Sequence, residues 1–194
     1  MNKRLFLASA MAALLAACSP APAEFKGVDL TGADYARGFK LKDVEGRVRT
    51  LDEFKGKVVV VFFGYTQCPD VCPTTMAELA QVKKQLGVDG DKLQGIFVSI
   101  DPERDTPELL KAYLAAFDKS FVALRGDADE TRQAAKEFKA YYAKVPGKEN
   151  GSYSMDHTAG SYVFDPKGQI RLFEKYGAGP QALGEDIRQL LAGK

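Results

Sequence analysis

Val58 to Met76 reads VVVVFFGYTQCPDVCPTTM. The six residues Val58–Phe63 are β-branched or aromatic without a polar break, the mark of a strand buried on both faces. Gly64 to Val71 turns the chain, and a helix is predicted from about Pro73 to Leu86, with Met76, Leu79, Val82 and Leu86 facing inward. Proline suits a first helical turn, so Cys68 and Cys72 fall at or just before a helix N-terminus. A buried strand feeding a helix opens a parallel βαβ unit. The turn between them lies at the carboxyl end of a central strand, where open α/β sheets place their ligands.

The same periods continue downstream. Ile96–Ile100 is a second buried strand, and Leu110, Tyr113, Leu114 and Phe117 form one face of the next helix. Phe121–Leu124 is a short strand, and Ala128–Tyr142 is predicted as a helix with Ala135, Phe138 and Tyr142 on one face. Ala143–Met155 (AKVPGKENGSYSM) is polar and punctuated by glycine and proline, so it is expected to be a mobile surface loop. Ser161–Phe164 and Ile170–Glu174 flank the turn Asp165-Pro166-Lys167-Gly168, and Leu183, Ile187, Leu190 and Leu191 mark a last helix. Upstream, Phe39–Leu51 reads as a hairpin around Glu45-Gly46. The expected class is α/β: a mixed central sheet, helices on both faces and an N-terminal β-hairpin.

The chain has 194 residues, 27 basic and 26 acidic, for a net charge of +1. That balance lacks the basic excess of a protein held to phosphates, so nucleic acid is not an expected partner. Lys3 and Arg4 precede an apolar run, Leu5–Ala17, too short to span a membrane comfortably, which is a secretory signal pattern. Its end, Leu15-Ala16-Ala17-Cys18, resembles the lipobox of bacterial lipoproteins, in which the cysteine is acylated and the chain is cut before it. The expected division is residues 1–17 as signal peptide, 18–25 as a lipid-anchored tether and 26–194 as one domain. Export places the domain on the periplasmic or extracytoplasmic side of a bacterial membrane, held by lipid on Cys18 and not spanning.

Outside the cytosol thiols meet oxidising conditions. Beyond Cys18 the chain has only Cys68 and Cys72. A single close pair makes a local disulfide, a metal site, or both in turn. A disulfide closing so short a loop adds little stability, which favours a chemical role. The positive end of the helix favours thiolate over thiol. The Cys-x-x-x-Cys spacing lets two sulfurs chelate one ion and still pair, and two soft thiolates suit copper(I). The lone histidine, His157, in Met155-Asp156-His157-Thr158-Ala159, is the candidate third ligand, on a loop expected to cross the top of the sheet. Asp156 is either its hydrogen-bond partner or, the preferred reading, an exposed turn residue. Met76 and Met155 are soft but read as packing. Asp101 closes the second buried strand, where it can tune the thiols or dock a partner. Asp105 and Glu108 read as a capping box for the helix that follows, with Thr106 an alternative cap.

GYTQCPDVCPTTM, VSIDPERDTP (Val98–Pro107) and DHTAGSYVFDPKG (Asp156–Gly168), in that order, resemble the Sco/SenC family over roughly residues 26 to 192. The resemblance implies a thioredoxin-like fold and copper bound by Cys68, Cys72 and His157. It also implies action on the binuclear copper centre of cytochrome c oxidase, by delivering copper, by reducing the oxidase cysteines, or both. The partners implied are the copper-centre subunit of that oxidase and a copper donor or thiol reductant. Copper(I) is the expected state, and two thiolates with an imidazole can also hold copper(II). A lipid on Cys18 would replace the transmembrane helix common in the family.

Three rivals are weighed against that reading. A metal-free thiol–disulfide oxidoreductase fits the fold, but the cysteine spacing is one residue long, and His157-Thr158-Ala159 lacks the cis-proline that thioredoxins set opposite their cysteines. A peroxiredoxin needs threonine and proline where Tyr65 and Val61 stand. A zinc site of this ligand set would leave one position open, but nothing else in the sequence supplies a hydrolytic acid, base or pocket.

Overall fold

The computed structural model describes residues 24–194; the signal segment 1–17, Cys18 and the tether up to residue 23 lie outside them. The chain enters through a two-residue strand β1 (Val28–Asp29) and the hairpin β2 (Lys40–Asp43) and β3 (Val48–Thr50). Then come β4 (Val58–Gly64), α1 (Val71–Gln85), β5 (Leu93–Ser99), α2 (Pro107–Ala115), β6 (Val122–Arg125) and α3 (Ala128–Glu137). A second hairpin, β7 (Tyr142–Pro146) and β8 (Tyr153–His157), precedes β9 (Gly160–Phe164), β10 (Ile170–Lys175) and α4 (Gly179–Leu191). Eight strands form one sheet in the order β1-β10-β9-β4-β5-β6-β2-β3. β4, β5 and β6 run parallel, and the other neighbours are antiparallel. The mixed, helix-covered sheet with its N-terminal hairpin is the expected class; β1 is an addition that two residues were too few to signal.

Every residue of β4 and β5 is buried, which explains the unbroken apolar run of β4 and the mainly apolar one of β5. The two faces of β4 meet different helices. Phe62 packs on Phe97, which meets Tyr113 of α2, and Val60 shares a small cavity with Leu79 of α1 and Leu183 of α4. On the opposite face Phe63 and Tyr162 pack edge-on against Phe138, just past α3. Gly95 of β5, paired with Val60, lets α1 lie close: a Cβ there would come within 2.9 Å of Leu79 and 2.7 Å of Phe121.

Two expectations are corrected here. The helix predicted to run to Tyr142 stops at Glu137. Phe138 turns into the core, fully buried, and Lys139 takes a left-handed conformation (φ 51°) that ends the helix. Tyr142 is then free to pair with His157 as the first rung of β7 and β8. The stretch expected to be a loop, Ala143–Met155, is thereby mostly hairpin, with five paired rungs from Tyr142–His157 to Pro146–Tyr153. β7 offers no alternation to read, its residues passing from half-buried to exposed without a core face, and the run contains Gly, Pro and charges.

Candidate metal centre

Three elements converge at the carboxyl end of β4. The turn after Gly64 carries Cys68. The first turn of α1 carries Cys72, since the helix starts at Val71, two residues earlier than predicted. The last residue of β8 is His157. Ligand atoms of Cys68, Cys72 and His157 all lie within 4.8 Å of one another, and theirs is the one cluster of three or more such side chains among the described residues. His157 Nε2 stands 3.7 Å from Cys72 Sγ, and the Cys72 backbone N–H donates to Cys68 Sγ at 3.4 Å. An ion with bonds of about 2.1–2.3 Å spreads three ligands about 3.7–4 Å apart. The triangle needs only a small contraction to close on one ion.

The imidazole is oriented by its surroundings. Its Nδ1 lies 3.1 Å from the Thr158 carbonyl, which can only accept, so Nδ1 carries the proton and Nε2 presents its lone pair to the sulfurs. The rings of Phe62 and Tyr65 pack against it in T-shaped pairs at 5.8 and 6.1 Å between centroids. Burial holds the His157 pKa below its ordinary value, against the Thr158 hydrogen bond and the charge of Asp156. The ring is therefore neutral, the form that ligates.

Burial also pushes the Cys72 thiol well above the ordinary cysteine range, with Cys68 adding to the rise. The sequence-based expectation of a lowered thiol is corrected for this residue. The helix terminus is present, but Cys72 has no exposed surface, and removing a thiolate from water outweighs it. Cys68 is half-buried at the mouth. The mouth is an open concavity of about 460 Å³ bordered by Pro69, Val71, Val145 and Ala159, with Asp70 and Asp156 among its charged members.

Gly64 makes room for Cys72. A Cβ there would sit 3.0 Å from Cys72 Sγ, 2.7 Å from Phe62 and 2.9 Å from Phe97. Gly64→Ala is expected to cost about 1–3 kcal/mol by overpacking and to displace the sulfur. Urea unfolding of the variant checks this; an unchanged midpoint would mean the space is not needed.

Among the remaining candidates, Asp156 is exposed, as the preferred of its two readings had it, though on β8 and not in a turn; the Thr158 carbonyl, not its carboxylate, meets the imidazole. Met76 and Met155 are buried packing residues, as read. Asp101 is buried but outside the ligand cluster, where it accepts from Arg104 Nε and, at 2.8 Å, from the Tyr153 hydroxyl. The capping box read for Asp105 is not formed: Thr106 caps α2, accepting from the Leu109 N–H. Asp105 is fully buried and instead accepts from the backbone N–H (3.1 Å) and hydroxyl (2.6 Å) of Thr66 and from the Ser99 hydroxyl (2.6 Å). It pins the cysteine turn to the end of β5. Its position just before a helix made a cap the simpler reading, and only a partner 39 residues away distinguishes the two.

The SCO1/SenC family model matches residues 28–192. A SCO2-like protein of Rickettsia felis is 35% identical over 151 residues, 77% of this chain and 74% of that protein. Among solved structures, copper-bound ScoI of Bradyrhizobium japonicum is 41% identical with a TM-score of 0.72, over 79% of this chain and 98% of that one. Apo Sco1 of Thermus thermophilus is 36% identical with a TM-score of 0.72, over 90% and 97%. The fold is thus the thioredoxin-like one shared with these structures.

Proposed function

The chain belongs to the SCO1/SenC family, and we propose that it is a copper chaperone that holds copper(I) as cargo between Cys68, Cys72 and His157. It would pass the ion to the copper-centre subunit of cytochrome c oxidase, reduce the cysteines of that centre, or do both. The observation that carries this reading is the convergence of two sulfurs and an imidazole lone pair, from segments 85 residues apart, on one point at an open mouth. Two soft donors and a borderline one match copper(I), and three-coordination leaves one side for an incoming thiol. A hard, oxygen-seeking ion such as calcium or magnesium would find no oxygen donor in this ligand set.

Transfer follows from exposure. Cys68 stands nearer solvent than Cys72, so a partner's thiolate would approach the ion from that side, form a fourth bond, and displace Cys68 first. Cys72 and His157, held deeper, would let go last. The adjacent sulfurs also support the second activity. In reducing a partner disulfide, the Cys68 thiolate would attack one partner sulfur, releasing the other as a thiolate. Cys72 would then close on Cys68, releasing the second partner thiol, so two electrons pass to the partner and one disulfide forms here.

We further propose that lipid on Cys18 tethers the domain to the outer side of a bacterial membrane. Among the described residues no helix is long and apolar enough to span one.

The test is a copper(I) competition titration of the reduced protein under anaerobic conditions. One ion per chain is expected, with His157→Ala weakening binding by roughly 10²-fold, about one ligand's share of a multi-ligand site. Weak wild-type binding would leave the thiol–disulfide activity as the better reading. Wild-type affinity in His157→Ala would remove the histidine from the ligand set.

A further inference from the structure

The ligands of the proposed site come from two bodies that share no hydrogen-bonded strand: the turn and helix after β4, and the β7–β8 hairpin, which is a separate two-stranded sheet. Something must fix the distance between them. The segment between β5 and α2 supplies it through one side chain. Arg104 Nη1 donates at 2.9 Å to Gln67 Oε1, beside Cys68, and at 2.9 Å to the backbone carbonyl of Tyr153, the first residue of β8. Its guanidinium lies 3.6 Å from the centroid of the Tyr153 ring and 5.8 Å from that of Tyr65, whose ring packs against His157 in a T-shaped pair. Asp101, 1% exposed, holds the other side of the guanidinium through Nε and also takes the Tyr153 hydroxyl.

We infer that Arg104 is a positioning residue for the metal centre: its guanidinium, through Nη1, joins the cysteine turn to the histidine strand and so sets where His157 stands relative to the two sulfurs. This rests on the three-ligand reading above. Arg104 is absent from the ligand cluster, so it acts only through what it holds. A planar guanidinium can give Nη1 to a side-chain amide and a backbone carbonyl and Nε to a carboxylate at fixed angles while stacked on an aromatic ring, Nη2 being left without a partner here; a lysine ammonium lacks that planar spacing.

Removing Arg104 alone would strip the buried Asp101 of its ion-pair partner, which can unfold the protein. The informative variant is therefore Asp101→Asn/Arg104→Gln, in which no buried charge is orphaned; Gln67→Ala, at an exposed position, cuts only one arm of the clamp. Copper(I) affinity is measured for each, alone and combined with His157→Ala, with apo-protein unfolding as control. The double variant is expected to bind about 10- to 100-fold more weakly than wild type, and Arg104→Lys to be no better. In the His157→Ala background the same double substitution is expected to change affinity by no more than about twofold, the range within which uncoupled changes add. A loss that persists in full without the histidine would overturn the inference, since Arg104 would then act on the cysteines or on the fold at large. Wild-type affinity in the double variant or in Arg104→Lys would overturn it as well. If His157→Ala itself leaves binding unchanged, the three-ligand reading fails first and the inference falls with it, a result distinct from the other two.

Discussion

Cys72→Ser is expected to weaken copper(I) binding by roughly 10²- to 10³-fold, about one ligand's share of a multi-ligand metal site. The exchange of sulfur for oxygen is close to isosteric, and the new hydroxyl can donate to His157 Nε2, which already faces the position at 3.7 Å. The fold should therefore survive, and the loss reads the ligand and not the scaffold. A hydroxyl is a hard, protonated donor that copper(I) does not prefer. Cys68→Ser should lose a comparable amount, because each removes one of only two soft donors. Competition against a copper(I) chelator of known affinity measures both. Retention of wild-type affinity by either variant would mean that the ion is held elsewhere.

The second large effect is on stability and involves a carboxyl outside the ligand cluster. Glu174 on β10 is 5% exposed, and neither carboxylate oxygen has a hydrogen-bond partner. Burial, with Asp186 adding to it, pushes its pKa up to about 8. Asp186 on α4 is fully buried and accepts from the backbone N–H groups of Lys26 (2.9 Å) and Gly27 (2.8 Å). In the unfolded chain Glu174 ionises at its ordinary value of 4.5. Between that value and about 8 the folded chain binds more protons than the unfolded one. Stability is then fully present below the lower value, falls as pH rises, and levels off above the upper one. At about 1.4 kcal/mol per unit of separation, the whole loss is on the order of a few kcal/mol. Glu174→Gln should match wild type near pH 5 and exceed it near pH 9 in urea midpoints. Glu78, also raised by burial and lining the same small cavity, keeps part of the slope in the variant. Parallel curves for the two proteins would show that Glu174 is not the group that titrates.

Much of this architecture is legible from local pattern. Val58–Phe63, apolar throughout, and Ile96–Ile100, apolar but for Ser99, read as strands buried on both faces, and the structure buries every residue of both elements. The helix after Cys72 follows from Met76, Leu79 and Val82 at helical spacing, all buried as read. The β7–β8 hairpin was not legible. Its strands are half solvated and held by pairing with each other, and its anchor, the Arg104 bond to the Tyr153 carbonyl, involves backbone that no side-chain pattern encodes.

The metal centre divides in the same way. Cys68 and Cys72 could be paired from the sequence because they are four residues apart on one turn, where local geometry settles their proximity. His157 could be nominated, as the chain's single histidine, but its approach to the sulfurs spans 85 residues and depends on how the hairpin lies over β4. The raised Cys72 thiol, the role of Asp105 on Thr66 and the Arg104 link belong wholly to tertiary structure. Each is a matter of burial or of a partner distant along the chain. Local propensity reports the period of a segment; it carries no information about how much water a folded neighbour will later remove from it.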